Sequence, residues 1–118
     1  MTPRYAGAAA CPGSRRATEK VIGMLFGDIR RGLDAYRATP RAILVDVREA
    51  DEFASGHIPG AVNVPLSAIA AAVFPKDAPL FLYCLRGTRS MRAAGILKRM
   101  GYEARSIGGI ASYRGEVT

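Results

Sequence analysis

Two continuous runs of apolar residues stand out along the chain, at residues 42–45, which Asp46-Val47 follow, and at residues 80–83. Uninterrupted apolar runs of this length are typical of strands that are buried on both faces of a parallel sheet. Segments at residues 20–26, 61–64 and 103–107 predict three further strands. The pattern therefore indicates several short strands that are separated by other elements.

Apolar residues between these runs follow helical spacing. Ile29, Leu33 and Tyr36 lie at i, i+4 and i+7, which predicts a helix over residues 29–38 that Asp28 can cap. The dipeptide Thr39-Pro40 should end it, because the residue before a proline disfavours the helical region. Shorter helices are predicted at residues 50–54 and 66–74.

A further helix is predicted over residues 90–100, and Gly101 is placed to end it. One face of this helix should carry the apolar residues Met91, Ala94, Leu97 and Met100. Strands that alternate with helices predict an α/β fold, in which helices cover a parallel sheet on both faces.

The length of 118 residues allows one ordinary domain. Residues 1–20 are rich in Ala, Gly, Pro and Arg without periodicity, so we expect a flexible N-terminal tail before a single domain over residues 21–118. No apolar run approaches membrane-spanning length, and the first residues lack the apolar segment of a secretion signal. These features predict a cytoplasmic protein without a membrane partner.

The net charge of +7 is unevenly distributed. Residues 84–118 contain seven basic and two acidic residues, whereas residues 21–83 are close to neutral. A basic chain can bind nucleic acid, but neither a helix-turn-helix nor an aromatic platform for single strands is evident. A basic mouth around an anion site explains the excess more economically, so no nucleic-acid partner is expected.

Candidate chemistry lies where the second apolar run ends, at Cys84. A short loop, Leu85-Arg86-Gly87-Thr88-Arg89, leads from this cysteine to Ser90 in the predicted helix. Ligands of open parallel sheets bind at the carboxyl ends of strands, and a helix N-terminus beside a loop of amides binds anions. We therefore expect a Cys84 thiolate nucleophile, with Arg86 and Arg89 adding positive charge for an anionic substrate.

Several short motifs follow one another between about residues 40 and 115. They are Val45-Asp46-Val47-Arg48-Glu49, Asp51-Glu52-Phe53, Gly56-His57-Ile58-Pro59-Gly60-Ala61, Asn63-Val64-Pro65-Leu66, Tyr83-Cys84, Arg89-Ser90 and Gly108-Gly109-Ile110. In order and spacing these motifs resemble the rhodanese family. The resemblance implies a three-layer α/β sandwich with a five-stranded, mostly parallel sheet. Two departures are Tyr113, where the family often has tryptophan, and Leu85, where the family often has a polar residue.

The resemblance also implies roles for individual residues. Cys84 corresponds to the catalytic cysteine that cycles between thiolate and persulfide, and the loop from Leu85 to Arg89 corresponds to the substrate-binding loop. Asp46, Arg48 and Ser90 correspond to residues that support the site. The implied function is a thiosulfate or persulfide sulfurtransferase, whose partners are a small anionic sulfur donor and a thiol or protein acceptor.

Two alternatives use the same cysteine. One is a rhodanese-fold phosphatase or arsenate reductase, although Cys84 and Arg89 are separated by four residues rather than the five of tyrosine phosphatases. The smaller loop favours a single sulfur atom over a tetrahedral phosphate. The other alternative is a non-catalytic sulfur carrier or interaction module.

The remaining candidates are interpreted as structural. His57, the only histidine, is expected to bond to backbone in a turn rather than to act as a base for Cys84. Cys11 is expected to be a tail cysteine without a partner, although a resolving thiol is the alternative. One histidine and two distant cysteines cannot form a metal site, so no metal and no cofactor are expected.

Overall fold

The computed structural model describes residues 29–118, which fold as alternating strands and helices. The four strands of this part are β1 (Ile43–Asp46), β2 (Val62–Asn63), β3 (Leu80–Cys84) and β4 (Ala104–Gly109). Its α-helices are α1 (Arg30–Ala38), α2 (Ala50–Ser55) and α3 (Thr88–Arg99). Two 3-10 helices, Leu66–Ala71 and Ile110–Ser112, complete the described elements.

The strands form one sheet in the order β2-β1-β3-β4, and every neighbouring pair is parallel. All five residues of β3 are buried, as expected for a central strand of an uninterrupted apolar sequence. Asp46 at the end of β1 pairs with Tyr83, which directly precedes Cys84. The carboxyl ends of β1 and β3 therefore lie side by side, which is the edge where a ligand is expected.

Helices cover both faces of the sheet, as the sequence predicted. One buried cluster joins Leu80 and Leu82 of β3 to Leu97 of α3. The other cluster joins Phe81 of β3 to Leu33 of α1. Each such side chain contributes about 1.5–3 kcal/mol when it is fully buried, so these two layers hold the sheet between its helices. The predicted α/β class is confirmed.

The strand count differs from the family expectation. The part of the chain that the structure describes has four strands rather than five. The fifth strand had been predicted at residues 20–26, which lie outside the described residues, as do the expected tail, Cys11 and Asp28. Those predictions stay predictions.

The predicted buried face of α3 was partly wrong. Met91 is 53% exposed, and the buried residues of the helix are Ser90, Ala93, Ala94 and Leu97. Small side chains on this face allow the helix to approach the sheet closely, and the longer methionine then points outward. Residues 66–74 also differ from the prediction, because only Leu66–Ala71 are helical and they form a 3-10 helix.

Candidate active site

Cys84 is the last residue of the central strand and is only 1% exposed. The backbone N–H of Gly87 donates a hydrogen bond to its Sγ atom, with a nitrogen–sulfur distance of 3.0 Å. Such a bond stabilises negative charge on sulfur, because an amide donates more strongly to a thiolate than to a thiol. The loop therefore folds back over the cysteine and presents the Gly87 backbone N–H to its sulfur.

Gly87 makes this turn possible. It has φ of +113° and directly precedes α3, so it occupies a left-handed conformation at the helix N-terminus. A residue with a Cβ would be strained in that conformation, and the loop amide would be drawn away from the sulfur. The first amides of the helix follow directly, and their partial positive charge also favours an anion at this place.

The end of β4 packs against the loop that follows Cys84. The pairing of β3 with β4 shifts between Leu82 and Cys84, and this irregularity brings Gly109 opposite Cys84. A Cβ at Gly109 would overlap the carbonyl oxygen of Leu85, so only glycine permits this close approach. The N–H of Ala111 donates to the same carbonyl at 3.0 Å. The sequence indicated no contact between these two segments.

Ser90 joins the loop to the sheet. Its Oγ donates to the carbonyl oxygen of Gly87 at 3.0 Å and lies 2.7 Å from the Oγ of Ser106 in β4. Both serines are buried. A buried, satisfied polar network of this kind fixes the position of the loop relative to the strand. The structure thus brings Ser90 to the site, and it adds Ser106, which the sequence analysis missed.

The two loop arginines have different environments. Arg89 is bound to Glu52 of α2 through two hydrogen bonds of 2.8 and 3.2 Å, so its positive charge is partly neutralised. Arg86 is exposed, and within residues 29–118 no salt bridge involves it. Of the two loop arginines, Arg86 is therefore the one without an ion pair among the described residues.

Glu52 also contributes to the start of α2. Its carboxylate accepts the backbone N–H of Glu49 at 2.9 Å, as part of a capping box. The hydrogen bonds from Arg89, followed by that from Glu49, lower the pKa of Glu52 to about 2.

Replacement of Glu52 by glutamine should lower stability by about 1 kcal/mol near neutral pH, because the pair is partly exposed and screened by solvent. The carboxyl pKa falls from 4.5 to about 2 on folding. Its contribution is therefore present above about pH 4.5 and is lost as the pH falls towards 2. Urea unfolding across this pH range should show a steeper loss for the wild type than for Glu52→Gln. Parallel profiles would contradict the assignment, and Asp51→Asn is the control for the loss of one charge.

Asp46 and Arg48 form a buried ion pair at the end of β1. The shortest contact, from Nη2 of Arg48 to Oδ2 of Asp46, is 2.7 Å, and the same Nη2 donates to the carbonyl oxygen of Gly56 at 2.7 Å. Burial alone would lower the pKa of Arg48, but the hydrogen bond and charge of Asp46 outweigh it and the pKa is raised. Asn63 donates to the carbonyl oxygens of both residues. The pair therefore holds the segment that follows β1 in place, next to the end of β3.

His57 follows α2, and its side chain contacts that helix. Its Nδ1 lies 2.9 Å from the carbonyl oxygen of Phe53, and its ring stacks on the Phe53 ring with centroids 3.6 Å apart. These contacts agree with the interpretation of His57 as a structural histidine. Residues 29–118 contain no cluster of three or more side chains suited to a metal ion. No helix among the described residues is long and apolar enough to cross a membrane.

A family model, the rhodanese-like domain, matches residues 29–116 of this chain. The protein YqhL of Bacillus subtilis, which is named as uncharacterized, is 45% identical over 71 residues that cover 58% of this chain and 56% of that protein. The human thiosulfate:glutathione sulfurtransferase is 36% identical over 86 residues that cover 59% of this chain and 75% of that enzyme. The chain thus spans less than two thirds of the length of several curated relatives, including 56% of YqhL and only 15% of a tRNA sulfurtransferase from Desulfurococcus amylolyticus.

Solved structures agree with these matches. A human single-domain sulfurtransferase superposes with a TM-score of 0.62 and 31% identity, over 70% of this chain and 89% of that one. A rhodanese-related protein of Thermoplasma volcanium gives a TM-score of 0.65 and 27% identity, over 74% of this chain and 93% of that one. Since the family model covers residues 29–116, which are most of the chain, the chain belongs to the rhodanese family.

Proposed function

We propose that this protein is a sulfurtransferase that carries sulfane sulfur as a persulfide on Cys84. The donor is thiosulfate or another small anionic sulfur compound, and the acceptor is thiophilic. The observation that carries this proposal is the loop around Cys84, in which the Gly87 amide donates to Sγ at 3.0 Å. A thiolate held by backbone amides at a helix N-terminus can act as a nucleophile without a neighbouring base.

In the first step, the Cys84 thiolate attacks the outer sulfur of thiosulfate. A sulfur–sulfur bond forms on Cys84, the sulfur–sulfur bond of thiosulfate breaks, and sulfite leaves with the electron pair. The product is a Cys84 persulfide, whose terminal sulfur carries the negative charge that the loop amides stabilise. No proton and no external electron is required for this step.

In the second step, an acceptor nucleophile attacks the terminal sulfur. The persulfide bond breaks, its electron pair returns to Cys84, and the sulfur leaves on the acceptor. Cyanide can serve as the acceptor in vitro, and a small thiol or a protein cysteine can serve in the cell. The names of relatives agree with this class of reaction, because they include a thiosulfate sulfurtransferase of Escherichia coli that is 39% identical over 62 residues.

Steady-state kinetics test this proposal. Initial rates at varied thiosulfate and cyanide should give the parallel lines of a double displacement, because the first product leaves before the acceptor reacts. A phenyl phosphate and arsenate should not be turned over, since the six-residue loop favours one sulfur atom over a tetrahedral oxyanion. Phosphatase or arsenate-reductase activity without sulfur transfer would overturn the proposal.

Arg86→Ala should raise the KM for thiosulfate about fivefold and change kcat much less. The exposed guanidinium can bind the donor anion, and loss of one such charge–charge contact is worth about 1 kcal/mol. Saturation curves for thiosulfate at fixed cyanide measure this change. Arg37→Ala removes an equal charge from α1 and should leave the KM unaltered. An unchanged KM in Arg86→Ala would remove this arginine from donor binding.

A further inference from the structure

The outward face of α3 is a basic surface that the proposed chemistry does not use. Successive residues of a helix are rotated by about 100°, so the face opposite to the buried residues is formed by one set of positions. This set, which we call the α3 surface, is Thr88, Met91, Arg92, Gly95, Lys98 and Arg99. Five of these residues are exposed, and Gly95 is half-buried.

Positive charge dominates the α3 surface. It contains three cations, and the helix contains no acidic residue at all. Within residues 29–118, Arg92, Lys98 and Arg99 form no salt bridge. Lys98 and Arg99 suit the negative end of the helix dipole, but Arg92 lies closer to the positive end, where a cation is not stabilised by the helix itself. An external anionic partner would compensate these charges.

Apolar groups lie among these cations. Met91 is 53% exposed, and a Cβ at Gly95, one turn further along the helix, would meet no atom within 4 Å, so the space above Gly95 is open. Leu85, on the loop that leads into the helix, is 38% exposed. Exposed Met and Leu beside arginines match a protein segment with carboxylates and an apolar side chain. A surface that binds single-stranded nucleic acid would instead be expected to carry aromatic side chains for stacking, and this helix has none.

The net charge of this chain does not complement the α3 surface. Residues 1–20 contain four basic residues and one acidic residue, and the whole chain has a net charge of +7. Both the N-terminal segment and a second copy would therefore meet the α3 surface with like net charge. An acidic partner protein is the occupant that the charges favour.

We propose that the α3 surface docks an acidic protein that exchanges sulfur with Cys84. This proposal rests on the proposed sulfurtransferase function and names the class of its acceptor. The surface begins at Thr88, on the helix that follows the cysteine loop, so a protein bound along it can place a cysteine above that loop. The partner thiolate attacks the terminal sulfur of the Cys84 persulfide. A new sulfur–sulfur bond forms on the partner, the persulfide bond breaks, and the electron pair returns to the Cys84 thiolate.

Substitution of Arg99 can test docking separately from the reaction at Cys84. It lies eleven residues after Thr88, which corresponds to about 16 Å along the helix. The screening length is about 8 Å at physiological ionic strength. The charge of Arg99 should therefore have little influence on thiosulfate at Cys84, whereas a partner that lies along the helix would contact it.

The experiment uses Cys84 persulfide prepared with thiosulfate and two peptides that each contain one cysteine. In one peptide the cysteine is flanked by glutamates and a leucine, and in the other glutamines replace the glutamates. We expect the wild-type protein to sulfurate the acidic peptide about tenfold faster, and the preference to shrink as salt is added. Arg99→Glu and Arg92→Glu should abolish the preference, and Arg99→Gln should reduce it. The matched control Arg37→Glu, on α1, should retain it.

Each outcome bears on one of the two proposals. If thiosulfate fails to load Cys84, the sulfurtransferase proposal fails before any peptide is added. If Cys84 is loaded but both peptides react equally, or if Arg99→Glu behaves like Arg37→Glu, the docking proposal is overturned. Abolition of peptide transfer by a substoichiometric amount of bulk transfer RNA would also overturn it, in favour of a nucleic-acid partner. Thiosulfate:cyanide activity of Arg99→Glu should match the wild type, which shows that the variant is folded.

Discussion

Replacing Cys84 by serine will lower sulfur transfer from thiosulfate by about a thousandfold or more, because the variant lacks the sulfur atom on which we propose that the persulfide forms. A serine hydroxyl is a far weaker nucleophile towards sulfur than a thiolate, and the Gly87 amide cannot generate an alkoxide. The substitution replaces one small, buried side chain by another. We therefore expect the fold to be retained, with a thermal midpoint close to that of the wild type.

The matched control is Cys11→Ser, which alters the other cysteine of the chain. If Cys11 takes no part in transfer, this variant keeps full activity with both cyanide and thiol acceptors. A loss confined to thiol acceptors would assign Cys11 the role of a resolving thiol. Retention of wild-type activity in Cys84→Ser would contradict the mechanism.

The second prediction with a large effect concerns the stability of the fold next to Cys84. Asp46→Ala should destabilise the protein by about 3–5 kcal/mol, because it leaves the Arg48 guanidinium buried without its partner. The side chain of Asp46 is fully buried, and it also accepts the backbone N–H of Arg48 at 2.9 Å. A small domain has only about 5–15 kcal/mol of stability in total. Urea denaturation monitored by circular dichroism measures the loss.

Asp34→Ala is the control for this substitution. Asp34 pairs with Arg37 at 3.7 Å, and both side chains are largely exposed, so this ion pair should contribute little. A double variant that also replaces Arg48 by methionine should recover part of the stability lost in Asp46→Ala, because the uncompensated charge is then removed. If Asp46→Ala and Asp34→Ala unfold at the same urea concentration, the buried pair does not have the energetic role described.

The central strand and the position of the cysteine were predictable from the sequence for a simple reason. An apolar run with no polar interruption can be satisfied only when both of its faces are covered, and residues 80–83 have this character. The strand boundary then places Cys84 at the carboxyl edge of the sheet. A glycine and a helix start after it were sufficient to predict the loop. These local signals do not depend on distant parts of the chain.

Contacts between distant segments were not predictable in this way. Glu52 and Arg89 are 37 residues apart, and nothing in the local sequence of either indicates the other. The packing of Gly109 beneath Leu85 and the Ser90–Ser106 contact depend likewise on the register of β4. Periodicity also misplaced Met91, because the small residues Ala93 and Ala94 determine which face of α3 approaches the sheet. The sequence therefore predicted the candidate nucleophile, and the tertiary structure determines which charges surround it.

The most direct test of the central claim is the intact mass of the protein after incubation with thiosulfate and removal of excess donor. Wild-type protein should gain the mass of one sulfur atom, and cyanide or dithiothreitol should remove it. Cys84→Ser should show no gain under the same conditions, and Cys11→Ser should behave like the wild type. A wild-type mass that stays unchanged, or an equal gain in Cys84→Ser, would contradict the assignment of Cys84 as the sulfur carrier.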